Sequence, residues 1–257
     1  MDQTSLYNRL CMEIETLKHC VSKNFNKNVN HIKKWTVDSI TSKSLNFTTA
    51  GVYRIHGFAN ILEKEIPWSL VLKIIQPEHV EKNNPQHHNY WKREALVNQS
   101  DILTNLPSVI NTPKCYKVED QLDGSVWIWM EEIKENNDRL WSESEYAFVA
   151  RQLGIFNGTY IMDQTIPEKS WICRHWLSSW IKSSKQYSCD ATIYYPQIHL
   201  SKNFEDIWNS YMILNENIDK HLYTLSNLPR VLAHQDLSKQ NMYIHTDSKS
   251  EKKANVN

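Results

Sequence analysis

The sequence predicts an α+β protein: a β-rich first half with one helix inserted among its strands, then a mostly helical second half. Three observations carry this. From about Ile32 to Met130, apolar residues alternate or run in short blocks bounded by turn residues, as strands do. Within that region Trp91, Ala95, Leu96 and Ile102 fall on one side of a helix from about Asn89 to Leu103. After Ile133, apolar residues recur three and four apart, and a strand-like pattern returns only in the stretch 228–245.

Composition bounds the function classes. The chain has 257 residues, 40% hydrophobic and 23% charged, with 29 basic and 29 acidic side chains. That balance, with the basic residues scattered, argues against a nucleic-acid partner. No apolar run approaches the length of a membrane span, and the opening MDQTSLYNRL lacks the apolar core of a signal peptide. No membrane partner and a cytoplasmic location are therefore expected. The five Cys (11, 20, 115, 173 and 189) have neither C-x-x-C nor metal-finger spacing and read as reduced packing residues. Ten Trp against five Gly is an unusual balance, and the indoles read mainly as core and packing elements.

The elements follow in order. Leu6, Leu10, Ile14, Leu17 and Val21 form one apolar stripe, predicting an amphipathic helix over 6–21. HIKKWTVDSI and LNFTTAGVYRIHGFA read as two strands, with Thr48-Thr49-Ala50-Gly51 in the hairpin between them, and WSLVLKII (68–75) as a third, interrupted by Lys73. Asn83-Asn84-Pro85 marks a loop before the inserted helix, which carries Glu94 near its start. CYKVEDQLDGSVWIWMEEI predicts a hairpin turning at Asp123-Gly124, with Val126–Met130 as its buried strand. KENNDR is a polar connector. Ser142 to Glu145 has the S-x-x-E form of a capping box before a helix, in which Gly154 and Gly158 suggest close packing. Three Trp in 171–182 fall at helical spacing, and 204–225 reads as one long helix.

The chemistry concentrates in LPRVLAHQDLSKQNMYIH, 228–245. Strand-like pieces flank a polar loop carrying Asp236 and, five residues on, Asn241. Phosphoryl transfer from a nucleotide needs such a pair: a carboxylate to orient the attacking hydroxyl and accept its proton, and an oxygen ligand for magnesium. His234 reads as an inward-packed brace for the loop backbone. A lone Lys in an apolar strand most often sits at an edge with its head in water. Here Lys73 on a third strand, Glu94 on the next helix and H-x-D-x-x-x-x-N after a helical stretch occur in the order a nucleotide kinase requires.

With VLKII around Lys73, YWKREALVNQSDIL around Glu94, WIWMEEI and VLAHQDLSKQNMYI, the chain resembles the aminoglycoside phosphotransferase / choline kinase-like branch of the protein-kinase-like fold. The resemblance runs from about residue 46 onward. It implies a bilobal fold: residues 1–133 a nucleotide-binding lobe, with 1–30 an additional amphipathic helix, and 134–257 a helical lobe with the catalytic loop. It implies ATP and Mg2+ as cofactors and a hydroxylated small molecule as acceptor. Asp236 would be the catalytic base, Asn241 a magnesium ligand, Lys73 the phosphate lysine and Glu94 its partner. Glu131, Glu132 and Ile133 would offer backbone groups to the adenine edge. Thr48, Thr49 and Gly51, in a hairpin without G-x-G-x-x-G, would cover the phosphates.

Two departures stand out. Ser238 occupies a position where many protein kinases have Lys, with Lys239 one step further, which favours the small-molecule branch. The family's second magnesium-binding Asp, expected on a strand-turn after the Asn, has no counterpart: Asp247 follows no apolar strand, and the tail resembles the turn before a missing strand. The expectation is a truncated lobe that lacks much of the acceptor site. An inactive kinase-like fragment that at most binds nucleotide is thus the alternative. A binding module built on the Trp-rich segment 171–180 is a third reading. Glu143, Glu145 and Glu205 read as solvated helix residues more readily than as contacts for a cationic acceptor.

Overall fold

In the computed structural model, the described residues are 2–40, 48–77, 80–134, 140–162, 164–185, 204–246 and 252–256. Their architecture is α+β. A five-stranded antiparallel sheet is built from β1 (His31–Ser39), β2 (Thr49–Ile61), β3 (Lys64–Ile75), β5 (Cys115–Asp120) and β6 (Val126–Glu131), in the order β1-β2-β3-β6-β5. Alternation decides the faces of β2 and β3. Tyr53, Ile55, Ala59 and Ile61, with Trp68, Leu70, Leu72 and Ile74, point to one side and are buried there. The side chains between them, including Lys73, point to the other. β6 is buried on both faces, Trp127 and Trp129 on the first and Val126 and Ile128 on the second.

Two helices cover the first face. The stripe over 6–21 forms not one helix but α1 (Gln3–Met12) and α2 (Ile14–Phe25), separated at Glu13. The break lets both halves of the stripe lie on the sheet: Leu6 and Leu10 from α1, and Leu17, Cys20 and Val21 from α2, join the main core. Arg9 fastens α1 to the β5–β6 turn, with bonds to Asp123 (2.9 Å) and Gln121 (2.6 Å) and its guanidinium over the Trp127 ring. The segment 2–30 is therefore a structural layer packed on the sheet.

The second face is partly covered by α3 (Arg93–Gln99), which is shorter than the predicted 89–103 because turns and a second short segment, the 3-10 helix Ile102–Asn105, replace its ends. Ala95 packs there on Ile75, Val126 and Ile128, with Trp91 against them. The β5–β6 hairpin turns at Asp123-Gly124 as predicted. Gly124 has φ +80°, and the Asp123 carboxylate accepts from the Ser125 N–H at 3.0 Å and from its hydroxyl.

The later part of the chain contains α4 (Glu143–Met162), α5 (Trp176–Lys185), α6 (Phe204–Glu216) and α7 (Ile218–Ser226). The capping-box carboxylate is in place, Glu145 accepting from the Ser142 N–H at 2.9 Å. Two expectations fail here. Gly154 and Gly158 have nothing within 4 Å of where a Cβ would stand, so they mark an open side of α4, whose buried side is Gln152, Phe156 and Tyr160. The segment 204–225 is two helices divided at Asn217, not one. Together α6 and α7 leave Ile207, Ile213 and Tyr223 exposed.

A small second sheet, ordered β4-β8-β7, joins β4 (Ile110–Asn111) in parallel to β8 (Lys252–Val256), which pairs antiparallel with β7 (Met242–Thr246). The tail thus supplies a strand where only a turn was expected. KENNDR after Lys134, Cys189, Asp247 and the first residues of LNFTTAG lie outside the described residues. No helix among the described residues is long and apolar enough to cross a membrane.

Candidate functional site

Lys73 sits opposite Val52 on β2 and Ile128 on β6, on the sheet face covered by α3. Its Nζ lies 2.6 Å from Oε2 of Glu94, in the first turn of α3. The lysine is an interior-strand residue with a 22% exposed side chain, and its charge is met by a carboxylate from the covering helix. The edge-strand reading of this lysine fails on position alone, since β3 lies between β2 and β6.

The helix bearing Glu94 is fixed by its neighbour. Arg93 Nε donates to the Trp171 carbonyl (3.0 Å), Nη1 to His88 (2.8 Å), and Nη2 to Pro85 (3.0 Å) and His87 (2.7 Å). Ser179 of α5 reinforces this joint. Its Oγ accepts from the His88 N–H at 3.0 Å and lies 3.1 Å from His88 Nδ1. His88 is buried, its ring 4.2 Å from that of His87, and burial foremost pushes its pKa down to about 4. Sequence reading missed both residues: a charged residue on an amphipathic helix and two His in a polar loop carry no signal of burial.

The catalytic-loop candidates lie on the helical side. Val231 and Leu232 form no strand; they pack with Ile110, Phe156 and Tyr160. Leu237, Met242 and Ile244 pack with Trp141 and Val149 of the α4 region. Between these anchors the chain turns through Gln235, at φ +70° in the left-handed region, and exposes Asp236. The Asn241 carboxamide Nδ2 donates to the Asp236 carbonyl at 3.0 Å, closing the loop across five residues. His234 does brace the backbone, its Nδ1 3.3 Å from the Asp236 N–H, but it is exposed and not packed inward, because the apolar anchors stop at Leu232. Lys239 Nζ lies over the Trp141 ring at 5.9 Å.

The remaining nucleotide-site candidates lie in or beside the sheet. Thr49 and Gly51 belong to β2, paired with Ile75 and Ile74 across a bulge, and the Thr48 carbonyl accepts from Gln76. They stand at the mouth of the hairpin and not in its loop, since the strand continues back to Thr49. Glu131 is a strand residue whose N–H donates to the Lys114 carbonyl at 2.9 Å. Glu132 and Ile133 lie past the strand end. The Glu132 side chain turns back onto the sheet, where Oε1 is 2.8 Å from Arg54 Nε and Oε2 accepts from the Ser69 hydroxyl. Glu145 is buried in its cap, which removes it as an acceptor contact.

Among the described residues, the structure thus assembles two groups: Lys73 with Glu94 on the sheet, and Asp236 with Asn241 beneath α4. Two surface hollows, of about 540 and 490 Å³, are lined by neither group. No group of three or more His, Cys, Asp or Glu suited to a metal occurs among the described residues. The donor set still suits magnesium held chiefly by phosphates and water: with Nδ2 used by the loop, Asn241 keeps its Oδ1, and the Asp236 carboxylate is exposed. No protein-family model matches the chain, and no curated protein matches it.

Proposed function

We propose that this chain is a kinase-like phosphotransferase of the aminoglycoside phosphotransferase type, with a bilobal fold, moving the γ-phosphoryl group of ATP to a hydroxyl of a small molecule. One observation carries the reading: the 2.6 Å ion pair between Lys73 of the third strand and Glu94 of the following helix. Phosphoryl transfer of this type depends on positioning and charge stabilisation, and a strand lysine held by a helix carboxylate is one of its recurring parts. In this reading the Lys73 ammonium holds the α- and β-phosphates, and Glu94 keeps it from collapsing onto another acceptor. Asp236 orients the acceptor hydroxyl and takes its proton. The left-handed turn at Gln235 supports that role, since strain of this kind persists where surrounding structure fixes a side chain. Asn241 would supply an oxygen to magnesium, which offsets phosphate charge when bound. The acceptor lies within the class of hydroxylated small molecules.

A second reading, nucleotide binding without transfer, is favoured by the composition of β8. This strand, Lys-Lys-Ala-Asn-Val, lies beside β7 and carries no carboxylate for a second metal position. One experiment separates the two. The protein is incubated with magnesium, radiolabelled ATP and a panel of aminosugars, amino-alcohols and sugars, alongside calorimetric titration with ATP. Transfer that falls by about 100-fold or more in Asp236→Asn supports the enzyme, that being the usual weight of one such element. Binding without transfer, lost in Lys73→Met, supports the second reading. Absence of any nucleotide binding overturns both.

A further inference from the structure

We propose that the 85–88 loop and α5 form an acid-released clasp, in which protonation of His87 and His88 frees α5 while the neighbouring segment 170–172 stays tied to the loop. The inference concerns this joint alone and does not rest on the nucleotide-site reading.

Hydrogen bonds fix which ring nitrogens carry protons. His87 Nδ1 accepts from the Asn89 N–H at 3.0 Å, so the proton of the neutral ring sits on Nε2, 3.3 Å from the Ser183 hydroxyl of α5. Ser179 Oγ accepts from the His88 N–H at 3.0 Å and lies 3.1 Å from His88 Nδ1, which leaves that nitrogen as the acceptor for the serine hydrogen. Both Nδ1 atoms are therefore acceptors. An imidazolium carries an N–H at both of its nitrogens. Charging His87 sets an N–H against the Asn89 N–H, and charging His88 sets one against the Ser179 hydroxyl hydrogen. Each ring gains a proton only by giving up a bond that the neutral ring makes.

The groups around the rings oppose the added charge. His88 is buried, and Ser179 and Trp176, which reach it from α5, are uncharged. The ionisable groups acting on it are His87 of the same loop, Arg93 of α3 and Lys82 of the 3-10 helix Val80–Asn83, all of them basic. The two imidazole centroids are 4.2 Å apart, so a charge on one repels a charge on the other. On the segment leading into α5, the Cys173 thiol donates to the Gln86 carbonyl at 2.9 Å and offers no negative charge. The depressed pKa of His88 agrees with these surroundings.

The rest of the joint keeps its protons across the same range. Gln86 Nε2 donates to the carbonyls of Ser170 and Ile172, and Arg93 Nε to that of Trp171. Acid thus acts on the bonds of Ser179 and Ser183, four residues apart on α5, and spares those of 170–172. Once α5 leaves, both imidazoles meet water and charge as ordinary histidines do. The open form then binds more protons than the closed one, so the clasp is held above about pH 6.5 and weakens as the pH falls towards 4. Local opening of this kind needs no loss of the sheet.

The test is hydrogen exchange of the full chain, read by mass spectrometry between about pH 7.5 and pH 5 and corrected for the intrinsic exchange rate at each pH. Opening of 176–185 should rise about tenfold or more across that range, while 170–172 and the β2–β3 hairpin keep their protection. In the double variant His87→Gln/His88→Asn, whose amides hydrogen-bond but do not titrate, protection of α5 should be independent of pH. If that variant holds α5 open throughout, the His88 proton resonance of the unmutated protein decides, identified by its loss in His88→Asn. Its titration should follow the opening of α5; titration at an ordinary histidine pH with α5 still protected overturns the proposal. Protection of α5 that does not change with pH overturns it, as does loss of protection in 170–172 and the hairpin in step with α5. An unaltered pH response in the double variant does the same.

Discussion

His88 shows how one side chain couples fold to solvent. Its ring lies in the joint between the 85–88 loop and α5, against His87 and with Ser179 on Nδ1, and an edge of Trp176 faces it. Burial, then the nearby charges of His87, Arg93 and Lys82, lower its pKa from 6.5 to about 4. In the unfolded chain the imidazole takes up a proton near pH 6.5; in the fold it does so only near 4. Between these values the unfolded state binds more protons. This contribution to stability is therefore complete above pH 6.5 and is lost as the pH falls towards 4. His88→Asn keeps an acceptor for the Ser179 hydroxyl and cannot titrate. The difference in Tm between unmutated protein and variant should shrink as pH falls through that window; a constant difference would show that His88 does not titrate with folding. None of this was legible in the sequence, where His87-His88 follows Asn-Asn-Pro in a polar loop. Lys73 was legible for the opposite reason: it interrupts an apolar strand, and burying a charge requires a partner. Gly57 was equally silent. Its Cβ would stand 2.7 Å from the Trp35 backbone, a close approach created by the β1 bulge between Lys33 and Thr36.

At the scale of elements, periodicity and local chemistry were readable and long-range pairing was not. The β5–β6 hairpin and the start of α4 were encoded by Asp-Gly and S-x-x-E, signals spanning only a few residues. The division of the first stripe at Glu13, the separation of α6 from α7 at Asn217 and the parallel pairing of β4 with β8 depend on what packs where, which a local pattern does not carry. The glycines of α4 teach the same point, because Gly154-x-x-x-Gly158 resembles a packing motif yet faces open space. The α4 cap is the element most open to measurement. Glu145 is buried, accepts from the Ser142 N–H at 2.9 Å, and takes the Ser142 hydroxyl at 3.0 Å on the same oxygen. Glu145→Ala leaves that N–H without an acceptor and should destabilise the protein by about 1 kcal/mol. The check is urea unfolding, in which the midpoint should fall with little change in slope. Glu145→Gln, which keeps an acceptor oxygen, should recover most of the loss; if both variants behave alike, packing and not the cap fixes the start of α4.

Across the whole molecule, the 85–93 segment ties the sheet side to the helical part: Gln86 donates to the carbonyls of Ser170 and Ile172, His88 meets Ser179, and Arg93 binds the segment together while reaching Trp171. One guanidinium supplies four hydrogen bonds, three to the carbonyls of the 85–88 loop and one to Trp171, where the chain approaches α5. The same helix turn carries Glu94, so a residue of this joint also helps to set where the partner of Lys73 stands. In the sequence Arg93 is one basic residue in a helix rich in polar positions, and nothing local separates it from a solvated face. Arg93→Met removes the guanidinium donors from four carbonyls, of which that of His87 keeps the Tyr90 N–H, and should destabilise the protein by about 3 kcal/mol, each lost bond being worth roughly 1 kcal/mol. Arg93→Lys restores charge but not the planar fork, since an ammonium cannot span four acceptors in three directions, and should recover little. Urea unfolding measures the stability, and tryptophan fluorescence reports the joint through Trp171 and Trp176. On the proposed nucleotide-site reading, both variants should also bind ATP more weakly than the unmutated protein, because Glu94 loses its fixed position. Wild-type stability in Arg93→Lys would show that charge alone holds the joint, whereas lowered stability with unchanged ATP affinity would show that Glu94 is positioned by the sheet and not by Arg93.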